Sequence, residues 1–185
     1  MRRITKAALG GLAGCALAVG GVQAASGDVI KNLLGGIDGI ELVDLDAGTT
    51  ALDGAKATVR IMETPDETGF KLQVTEIDPT AAGKEFGAHL HVGPCQRPTD
   101  EVPNPTGGHY KTNTDPASRD NEVWFDLVPS PNGVATDNTW VSFRPTDADL
   151  NGMSIVIHVD KADAVSAKQA CLPVEISWVP MPVTP

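Results

Sequence analysis

Histidine and cysteine are scarce in this 185-residue chain, with four and three copies. Aromatic side chains are also few, at four Phe, three Trp and one Tyr against 19 Gly and 14 Pro. Basic residues are outnumbered 14 to 24 by acidic ones, for a formal charge of -10. That balance argues against a nucleic-acid partner, because phosphate contacts need clustered Lys and Arg. No internal repeat is visible, and beyond the first 24 residues no stretch carries a long amphipathic helical repeat. The length suits one domain of ordinary size with a real core. All four histidines fall inside short motifs, so the rare residues carry more functional information than the bulk composition.

Residues 1–24 read as a secretory signal. Arg2, Arg3 and Lys6 form a basic start, an uncharged and mostly small apolar run follows from Ala7 to Gly21, and Val22-Gln23-Ala24 offers a small-residue cleavage pattern. The run is broken by glycines and ends in that cleavage site, which argues against a transmembrane span. Leu12-Ala13-Gly14-Cys15 resembles a bacterial lipobox, so lipid anchoring at Cys15 is a second option, although the apolar run before it is short. Twin arginines also occur in signals for folded-state export, but the residues after Arg3 match such a signal poorly. The expected location is the periplasm, the cell envelope or the extracellular space. Cleavage after Ala24 removes Cys15 and leaves Cys95 and Cys171. In an oxidising compartment the natural reading is one disulfide, with two unpaired buried thiols as the alternative. A bond across that long loop would be worth roughly 4 kcal/mol in the loop-entropy model.

Residues 25–55 are rich in Gly, Asp and Ala and read as an irregular leader, with a short helical turn at 29–34. A β domain is expected over 56–179. Its strand candidates are 57–63, 70–77, 87–92, 122–128, 134–143, 154–159 and 171–179, separated by turns and by a long Pro-, Asn-, Thr- and Gly-rich segment from Gly93 to Asn121. The stretch FKLQVTEI, for example, alternates Phe70, Leu72, Val74 and Ile77 against polar partners. Many short strands at this spacing indicate an all-β antiparallel sandwich or barrel. Residues 180–185 are too proline-rich for a sheet and read as an exposed tail.

His89 and His91 are two apart in GAHLHVG. On a strand both imidazoles leave one face, about 6 to 7 Å apart, while Leu90 points the other way. That separation can be drawn in around one metal ion. His109 follows in GGHY and His158 near the end of SIVIHVD. Neutral imidazoles suit copper, zinc and iron, and four nitrogen donors suit tetragonal copper(II).

The order H-x-H, Cys, G-G-H-Y, S-I-V-I-H and A-C resembles the copper/zinc superoxide dismutase family over most of 57–176. The resemblance implies an eight-stranded Greek-key β-barrel. It implies copper ligation by His89, His91, His109 and His158, with His109 at the position that bridges copper and zinc in two-metal members. It also implies a disulfide between Cys95 and Cys171. Two-metal members carry two further histidines and an aspartate after the bridging histidine, whereas this chain has no histidine between His109 and His158. Only a short segment separates His158 from Cys171, too short for the family's charged loop over copper. Both losses resemble the copper-only branch, in which an acidic residue holds the former bridging histidine. Glu122 is the first candidate for that residue and Asp120 the second.

The family's anion-guiding arginine, three residues before the second cysteine, is Lys168 here. A lysine keeps the charge but not the planar fork, and Lys111 is a second candidate for attracting the anion. The expected activity is therefore copper-dependent dismutation of superoxide to dioxygen and hydrogen peroxide outside the cytoplasm. His109 and Lys168 would be its catalytic residues, with no zinc site and a possible homodimer. The alternative is an exported copper-binding or buffering protein of the same fold with little turnover.

Overall fold

The computed structural model describes residues 29–32, 39–159 and 167–175. The signal read over 1–24 with Cys15, the end of the last expected strand at 176–179, and the tail at 180–185 lie outside the described residues. Among the described residues, ten strands build two antiparallel sheets. The first holds β1 (Val29–Asn32), β4 (Lys56–Glu63), β5 (Thr68–Thr75) and β8 (Ala135–Val141) in that order, with β2 (Ile40–Glu41) also pairing with β4. The second runs β3 (Val43–Asp44), β10 (Lys168–Val174), β9 (Met153–His158), β6 (Phe86–His91) and β7 (Trp124–Leu127). After β5 the chain crosses to the second sheet for β6 and β7, returns for β8 and crosses again for β9 and β10, as the Greek-key expectation requires. Among the described residues, helix is confined to single turns such as Asp147–Leu150. The protein is thus an all-β sandwich.

Alternation explains the first sheet. On β4, Ala57, Val59 and Ile61 are buried, and on β5 so are Phe70, Leu72 and Val74. Their neighbours, such as Arg60 and Lys71, lie outward. Removing one of these large buried side chains costs roughly 2–5 kcal/mol, because the surrounding structure closes only partly over the gap.

The central strands of the second sheet behave differently. Every residue of β6 and β9 is buried. Phe86, Ala88 and Leu90 of β6 and Met153, Ile155 and Ile157 of β9 join the core between the sheets. His89 pairs with Val156 and His91 with Ser154 in the register, so the histidines share the opposite face with Ser154, Val156 and His158. That outer face is covered by the segment after β6.

Several contacts seat this segment. Cys95 is disulfide-bonded to Cys171 on β10. The Ser154 hydroxyl donates to the Gly93 carbonyl at 2.8 Å. The Gly93 amide donates to Thr106 O at 2.8 Å and that of Val92 to Gly108 O at 3.0 Å. Gly93 has no alternative, since a Cβ there would stand 2.1 Å from the Pro105 carbonyl oxygen and 2.7 Å from the Thr106 carbonyl carbon.

The segment expected to be an irregular leader differs from that reading. Residues 29–32 form a strand on β4 instead of a helical turn, and β2 and β3 lie within 39–55. Leu42, Leu52 and Ala55 are core residues. Pairing with neighbours that are distant in sequence decides these elements. Strand β10 also begins at Lys168, before the expected Cys171, because Lys168 pairs with His158 across a register shift.

Gly93→Ala is expected to lower stability by roughly 1–3 kcal/mol, the cost of forcing volume into a closed contact. Urea unfolding measures it. Wild-type stability in that variant would mean that the segment is not seated as described.

Candidate metal centre

The four histidines meet on the outer face of the second sheet. His89 and His91 come from β6, His158 from the end of β9, and His109 from the covering segment, where it forms an isolated bridge with His91. One ring nitrogen each of His89, His109 and His158 lies within 4.8 Å of the others. His91 joins through its Nε2, 3.3 Å from His158 Nε2. The His89 and His109 rings stack at 4.2 Å between centroids.

Hydrogen bonds assign where the lone pairs point. His91 Nδ1 lies 3.1 Å from the Gly107 carbonyl, which only accepts, so Nδ1 carries the proton and Nε2 the lone pair. His109 Nδ1 lies 3.0 Å from Glu122 Oε2 and by the same reasoning donates to it. That leaves His109 Nε2 as a lone pair, and this atom is buried without a hydrogen-bond partner. His89 Nδ1 is also buried and unpartnered. Buried polar atoms without partners are costly. Here His89, His109 and His158 each offer a ring nitrogen within 4.8 Å of the others and His91 Nε2 lies beside His158 Nε2, a donor set that a single cation with nitrogen preference would satisfy.

The electrostatics favour neutral rings. Burial, then the neighbouring imidazoles and Arg119, push the His89 ring down to about 2 from an ordinary 6.5. Burial pushes His91 down to about 3; the Gly107 carbonyl opposes this, and the Lys168 ammonium and the other imidazoles add to it. Metal ligation needs the neutral ring, so these two donors are ready at neutral pH.

Glu122 is 2% exposed, and its Oε2 also accepts from the Trp124 indole N–H at 2.7 Å. It therefore stands where the first acidic candidate was expected. Asp120, the second, is exposed, and its amide donates to the Ser118 hydroxyl at 3.3 Å. No hydrogen bond or ion pair of the described residues joins Asp120 to His109.

The site opens into a cleft of about 470 Å³ lined by His91, His109, Lys111, Glu122 and Lys168 among others. Lys168 sits at its edge but is not a free cation. Its Nζ donates to Asn104 Oδ1 at 2.6 Å, Thr106 Oγ1 at 2.7 Å and Gly107 O at 2.7 Å. An ammonium has three protons, so all are spent on the covering segment. Burial also lowers its proton affinity. Lys111 is exposed and donates to the Asp115 carbonyl at 3.1 Å. Sequence reasoning missed Trp124, whose ring meets that of His89 edge-to-face at 4.5 Å between centroids. The available signal was its position two residues after Glu122, on the same face of the expected strand 122–128. It also missed the Gly107 carbonyl, which receives both His91 and Lys168.

No protein-family model and no curated protein sequence matches the chain. Its fold is shared with solved structures, among them the Cu/Zn superoxide dismutase from Brucella abortus. That structure aligns with a TM-score of 0.52 over 80% of this chain and 100% of its own, at 16% identity. At this identity the likeness is one of fold: the chain has the β-sandwich of the Cu/Zn superoxide dismutase type.

Proposed function

We propose that the protein is an exported, copper-only superoxide dismutase. The observation that carries this reading is the convergence of two buried, unpartnered imidazole nitrogens with those of His91 and His158. His89 Nδ1, His109 Nε2 and the Nε2 atoms of His91 and His158 would hold the ion. Bound there, copper supplies alternating one-electron oxidation and reduction, which turns two superoxide ions and two protons into dioxygen and hydrogen peroxide.

The chain's own residues do the rest. Gly107 O fixes the orientation of His91, and Glu122 that of His109. His109 lines the cleft, and Glu122 keeps its Nδ1 proton in place. When Nε2 does not hold the ion it is the free lone pair of a ring oriented by Glu122 and lining the cleft, which makes His109 the group placed to pass a proton to reduced substrate. Lys168 contributes its charge to the cleft without a free N–H for the anion, and Lys111 adds a second positive charge at the rim. A zinc site is not part of the proposal: all four histidines are used here, and His109 Nδ1 is taken by Glu122.

Export rests on the signal-like start and on the Cys95–Cys171 disulfide. One observation favours a second reading, copper holding without useful turnover: Lys168 has no donor left for an incoming anion.

Metal analysis of copper-loaded protein should give one copper and no zinc per chain, with dismutation well above free-copper controls. His89→Ala should lose both binding and activity. Metallated protein no better than free copper would sink the dismutase reading, and tight stoichiometric binding in that case would establish the second one.

Acid should also act on the metal-free protein. The folded values of His89 and His91 lie far below the ordinary 6.5, so the unfolded chain takes up protons that the folded chain refuses. The resulting stability is complete above about pH 6.5 and is lost as pH falls, at no more than about 1.4 kcal/mol per unit for each ring. Urea midpoints should therefore drop between pH 7 and 5, and a His89→Gln variant should show a flatter profile. Parallel profiles for the two proteins would refute the assignment.

A further inference from the structure

We propose that Trp124 is a positioning residue that couples two of the four imidazoles and thereby sets copper affinity. The proposal rests on reading the histidines as a copper set. Trp124 lies directly opposite His89 in the β6–β7 register, and the two rings meet edge-to-face at 87° and 4.5 Å between centroids. On the same side chain, the indole N–H donates to Glu122 Oε2 at 2.7 Å, the atom that accepts from His109 Nδ1 at 3.0 Å. One residue therefore touches one donor ring directly and reaches a second through a single carboxylate oxygen.

Trp124 is itself held. The Arg119 guanidinium lies 5.2 Å from its ring centroid, and Arg119 Nη2 donates to both carboxylate oxygens of Asp126 at 2.8 and 2.9 Å. Asp126 lies two residues from Trp124, on the same face of β7. The chain Asp126–Arg119–Trp124–Glu122–His109 thus runs from a solvent-exposed ion pair to a buried lone pair.

The physical need is at Glu122. Its carboxylate is buried, and its ion-pair partner among the described residues is His109. A buried carboxylate must have its lone pairs occupied, and the indole is a donor with no acceptor role, so the Trp124 N–H fixes the orientation of that oxygen. Phe at this position keeps the ring against His89 and loses only that donor. Leu loses both.

The test uses the purified full chain and copper(II) itself, with affinity read by chelator competition. Trp124→Phe should bind copper(II) about 10–100-fold more weakly than wild type, the usual cost of losing a partner behind a ligand. It should also show a changed visible and paramagnetic-resonance spectrum, with Trp124→Leu weaker still. Trp124→Phe combined with Glu122→Gln should lose little more than Glu122→Gln alone, because the N–H acts through that carboxylate. Wild-type affinity and spectrum in Trp124→Phe, or losses that multiply, would overturn the proposal.

A second measurement needs no change at Trp124. One of the three indole N–H resonances of the metal-free protein should move in Glu122→Gln, and none moving would overturn the proposal. Copper binding without dismutation would remove the enzyme reading and leave this one standing, whereas a wild type that binds no copper(II) would remove both.

Discussion

The candidate centre depends on one constraint: the segment from Gly93 to Asn121 must lie flat on the outer face of the second sheet. Without it, His89, His91 and His158 are three rings on an open sheet. With it, they are buried and His109 is delivered among them. The seating combines a covalent tie, a hydroxyl from Ser154, a glycine with no room for a side chain, and a lysine that spends its three protons on the segment. The Gly107 carbonyl is where this packing becomes chemistry. It accepts one hydrogen bond from Lys168 and one from His91, so the contact that holds the segment also decides which His91 nitrogen faces the site.

Burial by this segment works in two directions. It strips water from His89 and His91, which lowers their proton affinity, and it leaves nitrogen lone pairs of His89 and His109 with no hydrogen-bond partner. The first weakens the metal-free protein only in acid, the second at any pH, and both favour a cation. The buried Glu122 adds a negative charge on the far side of His109. Neutral donors at the centre, a carboxylate behind one of them and lysines at the rim form a graded arrangement of charge within one cleft.

Much of this could be read from residue spacing. The H-x-H pair on a strand and the scarcity of histidine pointed to a shared set of rings and the distant cysteine pair to the disulfide, whereas Glu122 came from the resemblance to the copper-only branch and not from spacing. The strands that alternate were also legible, because period-2 burial is written directly into β4 and β5. What spacing could not convey is how main-chain atoms of an irregular segment are used. Lys168 reads as a cation available to an anion until the carbonyl and side-chain oxygens of 104–107 are seen around it. Trp124 looks like one more strand aromatic until its cross-strand partner is known to be His89. The short strands within 39–55 escaped notice because two-residue pairings leave no periodic trace.

The disulfide has a consequence for wear on the molecule. Between Cys95 and His109 the chain is mostly exposed and rich in proline and turns, the kind of surface a foreign protease cuts first. Because Cys95 is bonded to Cys171, a cut there yields two pieces that stay in one covalent body, with His89 and His91 on one and His109 and His158 on the other. The nicked protein would run as one band until reduced, and its donor set would survive scission of the segment that assembles it.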